Sequence, residues 1–170
     1  MVFGAMQIRV DDLSGHEIAG LLQTHLANSR KWSPAESIHA LDLNALRSAQ
    51  ITFWTAWNEA MLLGCGALKE LDRFHGEIKS MHTAQEHRGR GVASRLLAHI
   101  IEEARSRSYR RLSLETGSMD AYAPARALYA HFGFTSTGPF GDYVLDPNSV
   151  FMTLDLTNRH VVSRSESGSY

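Results

Sequence analysis

The sequence predicts a single α/β domain, and three observations carry that prediction. The stretch Glu77-Ile78-Lys79-Ser80-Met81-His82-Thr83 alternates like a strand. It runs into a glycine-bearing turn, Arg88-Gly89-Arg90-Gly91, that opens directly into an amphipathic helix from Val92 to about Arg105. Strand-like and helix-like segments then follow one another in the order β-α-α-β-β-β-α-β-α-β-β. The composition, 44% hydrophobic and 21% charged over 170 residues, is that of one globular domain.

Taken in order, Met6 to Val10 reads as a short first strand. Ser14-x-x-Glu17 reads as a capping box, with Leu13 and Ile18 as its hydrophobic staple. The helix behind it turns Ile18, Leu21, Leu22 and Leu26 to one face. Ser33-Pro34-Ala35-Glu36 is a second capping box with proline in the first turn, and it starts a helix through Ile38 and Leu41. Ile51 to Trp57 and Leu62 to Leu68 are strands joined through Asn58-Glu59. Gly64 and Gly66 share one strand face and Cys65 takes the other, so a close neighbour is expected on the glycine side. Asp72 to Gly76 is a polar link into the Glu77 strand. The helix after Gly91 lines up Val92, Leu96, Leu97, Ile100, Ile101 and Ala104 on one stripe. Leu112 to Thr116 is a strand. Pro124 to His131 is a short helix stopped by Gly133 in a left-handed conformation. Phe134 to Thr137 and Val150 to Leu156 are the last strands, joined by a loop rich in Gly, Pro, Asp and Asn. The domain spans 1–157, and 158–170 is a polar tail.

The bulk numbers exclude several classes. A net charge of −1, from 17 basic and 18 acidic residues, gives no basic stripe for nucleic acid. The single cysteine, Cys65, rules out an internal disulfide and fits a reducing cytoplasm. No apolar run approaches the roughly 18 residues of a membrane span, and no export signal opens the chain. The nine histidines lack metal-ligand spacing, so no metal is expected.

The junction at Arg88–Ala93 carries the most chemistry. A strand-to-helix turn with two glycines aims free backbone N–H groups, and the positive end of a helix dipole, at one point. That is an anion site suited to a pyrophosphate. A Walker loop would need Gly-Lys-Ser/Thr, which is absent. A dinucleotide fingerprint would need glycine where Ser94 stands.

The pattern Arg88-x-x-Gly91-x-Ala93 resembles the Arg/Gln-x-x-Gly-x-Gly/Ala signature of the GNAT superfamily of N-acetyltransferases. Ala125-x-x-Leu128-Tyr129-x-x-x-Gly133-Phe134 is similar to the other half of that family's pattern. The resemblance covers roughly residues 6 to 156 and is closest to small bacterial single-domain members. It implies a mixed, twisted, mostly antiparallel sheet of about six to seven strands with helices on both faces. It also implies acetyl-coenzyme A as cosubstrate and direct attack by a primary amine, without an acyl-enzyme.

Residue by residue, the resemblance puts Arg88, Gly89, Arg90, Gly91, Val92, Ala93 and Ser94 at the coenzyme's phosphates. It puts the backbone of Met81 and Thr83 against the acetyl oxygen and pantetheine arm. Tyr129 matches the tyrosine that protonates the leaving thiolate. Tyr122 stands where many members carry a pantetheine-contacting asparagine. Glu77, eleven residues before Arg88, matches the glutamate general base of histone-type members, with His82 and Glu115 as rivals. The acceptor site would draw on Trp32 and His39 early in the chain, and on Asp142, Tyr143 and Asp146 before the last strand. The expected acceptor is a small-molecule amine. A protein or peptide acceptor, and a non-catalytic acyl-coenzyme A-binding module, are the alternatives. The protein is expected to be a monomer or homodimer.

Overall fold

The computed structural model describes residues 5–32 and 43–157. Seven strands form one sheet in the order β1-β2-β3-β4-β5-β7-β6. They are β1 (Gln7–Val10), β2 (Ile51–Asn58), β3 (Met61–Asp72), β4 (His75–Thr83), β5 (Arg111–Gly117), β6 (Thr135–Thr137) and β7 (Ser149–Asp155). All neighbours run antiparallel except β4 and β5. Among the described residues four α-helices join them: α1 (His16–Trp32), α2 (Leu43–Leu46), α3 (Val92–Ser106) and α4 (Ala123–His131). The expected mixed sheet with helices on both faces is therefore present.

Each face has its own core. On one side α3 buries Val92, Leu96, Leu97, Ile100, Ile101 and Ala104 against β2 to β5, with Tyr129 and Phe134 in the same cluster. Burying one such aliphatic side chain contributes roughly 1.5–3 kcal/mol, so this stripe makes α3 the main anchor of its N-terminal turn. On the other side Ile18 of α1 packs with Leu13, Leu46, Phe53, Cys65 and Ala67. Gly64 and Gly66 face α3: a Cβ on Gly64 would lie 2.8 Å from the His82 carbonyl oxygen, and one on Gly66 would strike Met81 and Ile100. The close neighbour expected on that face is the far end of β4 itself.

Two features of β4 shape the site. Its parallel pairing with β5 runs only from His75 to Ile78. Beyond Ile78 the two strands part, and among the described residues the β5-facing backbone of Met81 and Thr83 pairs with no strand. Second, a bulge interrupts the pairing with β3: Ala67 opposes Lys79 and Cys65 opposes His82, so Ser80 and Met81 together face Gly66. Ser80 takes a left-handed φ of 56° to do this.

Some local expectations change. Ser14 does not cap α1. Its hydroxyl bonds the Asp12 carboxylate at 2.6 Å, and the first helical bond runs from Ala19 N–H to Gly15 C=O. Asp12, two residues upstream, outcompetes the helix for that hydroxyl. Leu13 and Ile18 are nonetheless buried together, as a staple requires. Strand β3 is longer than its apolar stretch, because Lys69–Asp72 pairs on with the start of β4. The link from Asp72 is a tight turn, with the Asp72 carboxylate accepting from Phe74 N–H at 2.8 Å. Gly133 has the positive φ expected of it, 97°. The second capping box, its helix and His39 lie outside the described residues, as does the tail from 158.

Candidate active site

The parting of β4 from β5 opens a cleft of about 470 Å³. Its floor is the end of β4, its two walls are α1 and α4, and its far lip is the turn before α3.

The lip is built from backbone. Gly91 caps α3 with φ 81° and ψ 11°, and no side chain satisfies the helix end. The first bond into the helix is Arg95 N–H to Gly91 C=O at 3.1 Å. The N–H groups of Val92, Ala93 and Ser94 are thus left without helical acceptors, and the helix dipole adds to their field. Gly89 also has a positive φ, 75°. A Cβ at either glycine would meet nothing within 4 Å. No protein group competes for that space, so glycine is required there by the left-handed backbone and leaves the cradle open.

The α4 wall presents Tyr129, which is 7% exposed and stacked edge-on with Phe134. Burial, then the charge of Glu115, pushes its phenol well above the ordinary range. It stays protonated at every working pH. Among the described residues its hydroxyl makes no hydrogen bond. The ring of Tyr122 lies on Gly117, where a Cβ could not fit, and meets Trp32 of α1 edge-on at 6.0 Å.

The β4 floor holds a histidine pair. His82 Nδ1 lies 3.1 Å from His25 Nδ1 of α1. Burial, then His25 and Arg88, pushes His82 down to about 3, and burial also lowers His25. Both rings are neutral near pH 7 and one nitrogen donates to the other. His82 Nε2 is buried with no hydrogen-bond partner.

The cleft collects most of the residues expected to bind coenzyme: Met81, Thr83, Arg88, Gly89, Gly91, Val92, Ala93, Ser94 and Tyr122, together with Tyr129 and Trp32. Arg90 is exposed and stands outside the lining. Asp142 is exposed on the β6–β7 loop and is not part of the cleft either. Glu77 and Tyr143 come together, but elsewhere. The Tyr143 hydroxyl donates to Glu77 Oε2 at 2.6 Å, and Lys79 Nζ donates to Glu77 Oε2 and to the Tyr143 oxygen, each at 3.1 Å. The Glu77 side chain is only 4% exposed. Phe140 and Phe151 pack on the Tyr143 ring and close this cluster over β4.

Sequence reasoning missed His25, Asn28 and Ser29, which line the cleft from α1. Their signal was the inward stripe continuing past Leu22 with the same spacing. Cys65 is buried, its thiol is pushed up to about 12, and it donates to the Ser80 carbonyl. It has neither the exposure nor the acidity of an acyl carrier. Among the described residues no group of three or more His, Cys, Asp or Glu could hold a metal, and no helix is long and apolar enough to cross a membrane.

An open helix N-terminus set against a strand that leaves its parallel neighbour is suited to the phosphates of an extended ligand. The acetyltransferase (GNAT) family model matches residues 19–134, and the chain belongs to that family. It is an acetyl-CoA-dependent N-acetyltransferase. It is 58% identical to the uncharacterized N-acetyltransferase YsnE of Bacillus subtilis (strain 168), over 89% of this chain and 100% of that protein. It is 42% identical to an IAA acetyltransferase of Azospirillum brasilense, over 70% of this chain and 77% of that one. Among solved structures, a putative acyl-CoA N-acyltransferase from Klebsiella pneumoniae superposes with a TM-score of 0.73 at 26% identity, covering 89% and 97% of the two chains.

Proposed function

We propose that this protein moves the acetyl group of acetyl-CoA to the nitrogen of a small-molecule primary amine by direct attack. One observation carries the reading: the Arg88–Ser94 cradle, the parted end of β4 and Tyr129 all face one cleft. The coenzyme's pyrophosphate lies on the N–H groups that open α3, beside Arg88. Its pantetheine arm runs past Tyr122 between the parted strands. The backbone N–H groups at Met81 and Thr83 hold the thioester oxygen and steady the negative charge that builds there on attack.

Tyr129 serves the departing sulfur. The weakened acidity of its phenol means that much of its help is a strong hydrogen bond to the thiolate, completed by proton transfer as coenzyme A leaves. Glu77 takes the amine's proton in this reading. It does so once Tyr143 and the Lys79 ammonium release its carboxylate, which ties the base to movement of the β6–β7 loop. His82 and Glu115 are its rivals. The protein acts in the cytoplasm, where a single reduced cysteine is at home, as a monomer or homodimer with one catalytic domain over 1–157.

Calorimetry with acetyl-CoA and thiol release with simple amines test the reading. Binding together with amine-dependent release is the expected result. Absence of acetyl-CoA binding to the folded protein would remove the reading's core.

A further inference from the structure

The inner stripe of α1 changes chemistry halfway along. Ile18, Leu21 and Leu22 pack into the core with Phe53 and Cys65. The next positions on the same stripe are His25, Asn28, Ser29 and Trp32, and all four line the cleft. An ordinary buried helix face would stay aliphatic. Here the second half supplies rings and neutral hydrogen-bonding groups. Ser29 donates back to the His25 carbonyl at 3.0 Å. Among the described residues the Asn28 carboxamide makes no hydrogen bond, and His82 Nε2, beside His25, is buried with none. A buried polar atom without a partner is unusual enough to require an explanation.

The charge of the lining is equally specific. Its described lining holds one guanidinium, Arg88, three histidines, two of which burial biases towards the neutral form, and no carboxylate. The acidic residues expected to greet the acceptor, Asp142 and Asp146, are not part of it. A polyamine or a cationic peptide entering this space would find no carboxylate among the described lining residues. A flat, uncharged body would find the Trp32–Tyr122 edge-to-face pair and the two imidazoles, which favour a further ring.

Resting on the acetyl-transfer reading above, we infer that the acceptor is an aromatic monoamine with an otherwise uncharged body. Its ring packs on the Trp32 side of the cleft. Its nitrogen stands near the Asn28 carboxamide and the His25–His82 pair, facing the thioester at the end of β4.

Three probes test this by thiol release from acetyl-CoA: 2-phenylethylamine, butylamine and spermidine. The expected order of kcat/KM places 2-phenylethylamine above butylamine by about tenfold, the worth of one good aromatic contact, and spermidine last. Trp32→Ala should collapse the ratio of the first two towards one, chiefly through KM, and Trp32→Phe should restore most of it. Acetyl-CoA calorimetry on each variant shows that the fold and donor site persist. Spermidine matching or beating 2-phenylethylamine would overturn the inference. So would a ratio that Trp32→Ala leaves unchanged, or silence with 2-phenylethylamine from a protein that binds acetyl-CoA. Failure to bind acetyl-CoA would instead bring down the acetyl-transfer reading itself.

Discussion

The lip of the cleft and the Glu77 cluster do their work with different parts of the chain. At the lip, backbone does everything: two left-handed glycines, three N–H groups without helical acceptors and a helix axis. At Glu77, side chains do everything: a carboxylate, an ammonium and a phenol in mutual contact, brought from β4 and from a loop 66 residues away. The first is open and shaped before any ligand arrives. The second is closed on itself. In the proposed reading, a donor common to a whole family is met by peptide groups that every sequence owns. Whatever distinguishes this enzyme is left to side chains around the acceptor.

The comparison is broken most severely through Tyr129, a side chain that lines the same cleft as the lip. Tyr129→Phe keeps the ring against Phe134 and deletes the hydroxyl. Turnover should fall roughly 10²- to 10⁴-fold with acetyl-CoA affinity almost unchanged. Steady-state thiol release beside calorimetry checks this, and an intact rate would make Tyr129 a packing residue.

Gly91→Val attacks the lip itself. The new side chain enters open space, but it stands where an anion would rest and strains a φ of 81°. Acetyl-CoA affinity should drop about a hundredfold, the worth of one or two charge-assisted hydrogen bonds. Circular dichroism separates that loss from misfolding, and an unchanged dissociation constant would mean that the phosphates bind elsewhere.

How far each half could be read from the sequence follows the same division. The β4–α3 junction was legible because its signals are local. Alternation, two glycines and the stripe from Val92 to Ala104 fall within thirty residues, and helix and turn appear where the pattern put them. The seven strands were legible for the same reason. The Ser14 cap was misread because Asp12, a neighbouring competitor, carries no weight in a capping pattern. Glu77 was picked out by its distance from Arg88, but nothing local announces that Tyr143 and Lys79 hold it. Likewise, His25 meets His82 only because α1 crosses β4, 57 positions apart in the chain.

Glu77→Gln sharpens the side-chain half. If the carboxylate is the base, kcat/KM at neutral pH should fall roughly tenfold to a hundredfold and recover as rising pH neutralises the amine. A loss that persists at high pH would mark a residue that only fastens the loop, and Tyr143→Phe should then reproduce it. The same profiles for His82→Ala and Glu115→Gln decide between rivals.

The smallest effect concerns acid stability. His82 sits far below its ordinary 6.5 in the folded protein, so between 6.5 and about 3 the unfolded chain takes up a proton that the folded one refuses. That contribution is complete above 6.5 and is lost as pH falls, with His25 adding the same sign. Melting temperature should drop between about pH 7 and 5, and His82→Gln should flatten the slope. An unaltered slope would locate the acid sensitivity elsewhere.

The left-handed Ser80 sets the parity of everything after it. Side chains along a strand alternate, so one supernumerary residue exchanges odd for even beyond that point. Were the same residues laid out as a regular strand with no bulge, His82 would turn towards α3 and Met81 towards His25. A single-codon deletion at Ser80 therefore removes the bulge and not the facing: Lys79 and His82 become i and i+2, opposite Ala67 and Cys65 as before. Ser80→Gly should leave the bulge intact, while deletion should straighten the strand and keep Met81 opposite Gly66 and the imidazole pair on its own side of the sheet. The spacing between Glu77 and Arg88, by which Glu77 was matched to a general base, thus includes one residue that the pairing with β3 passes over.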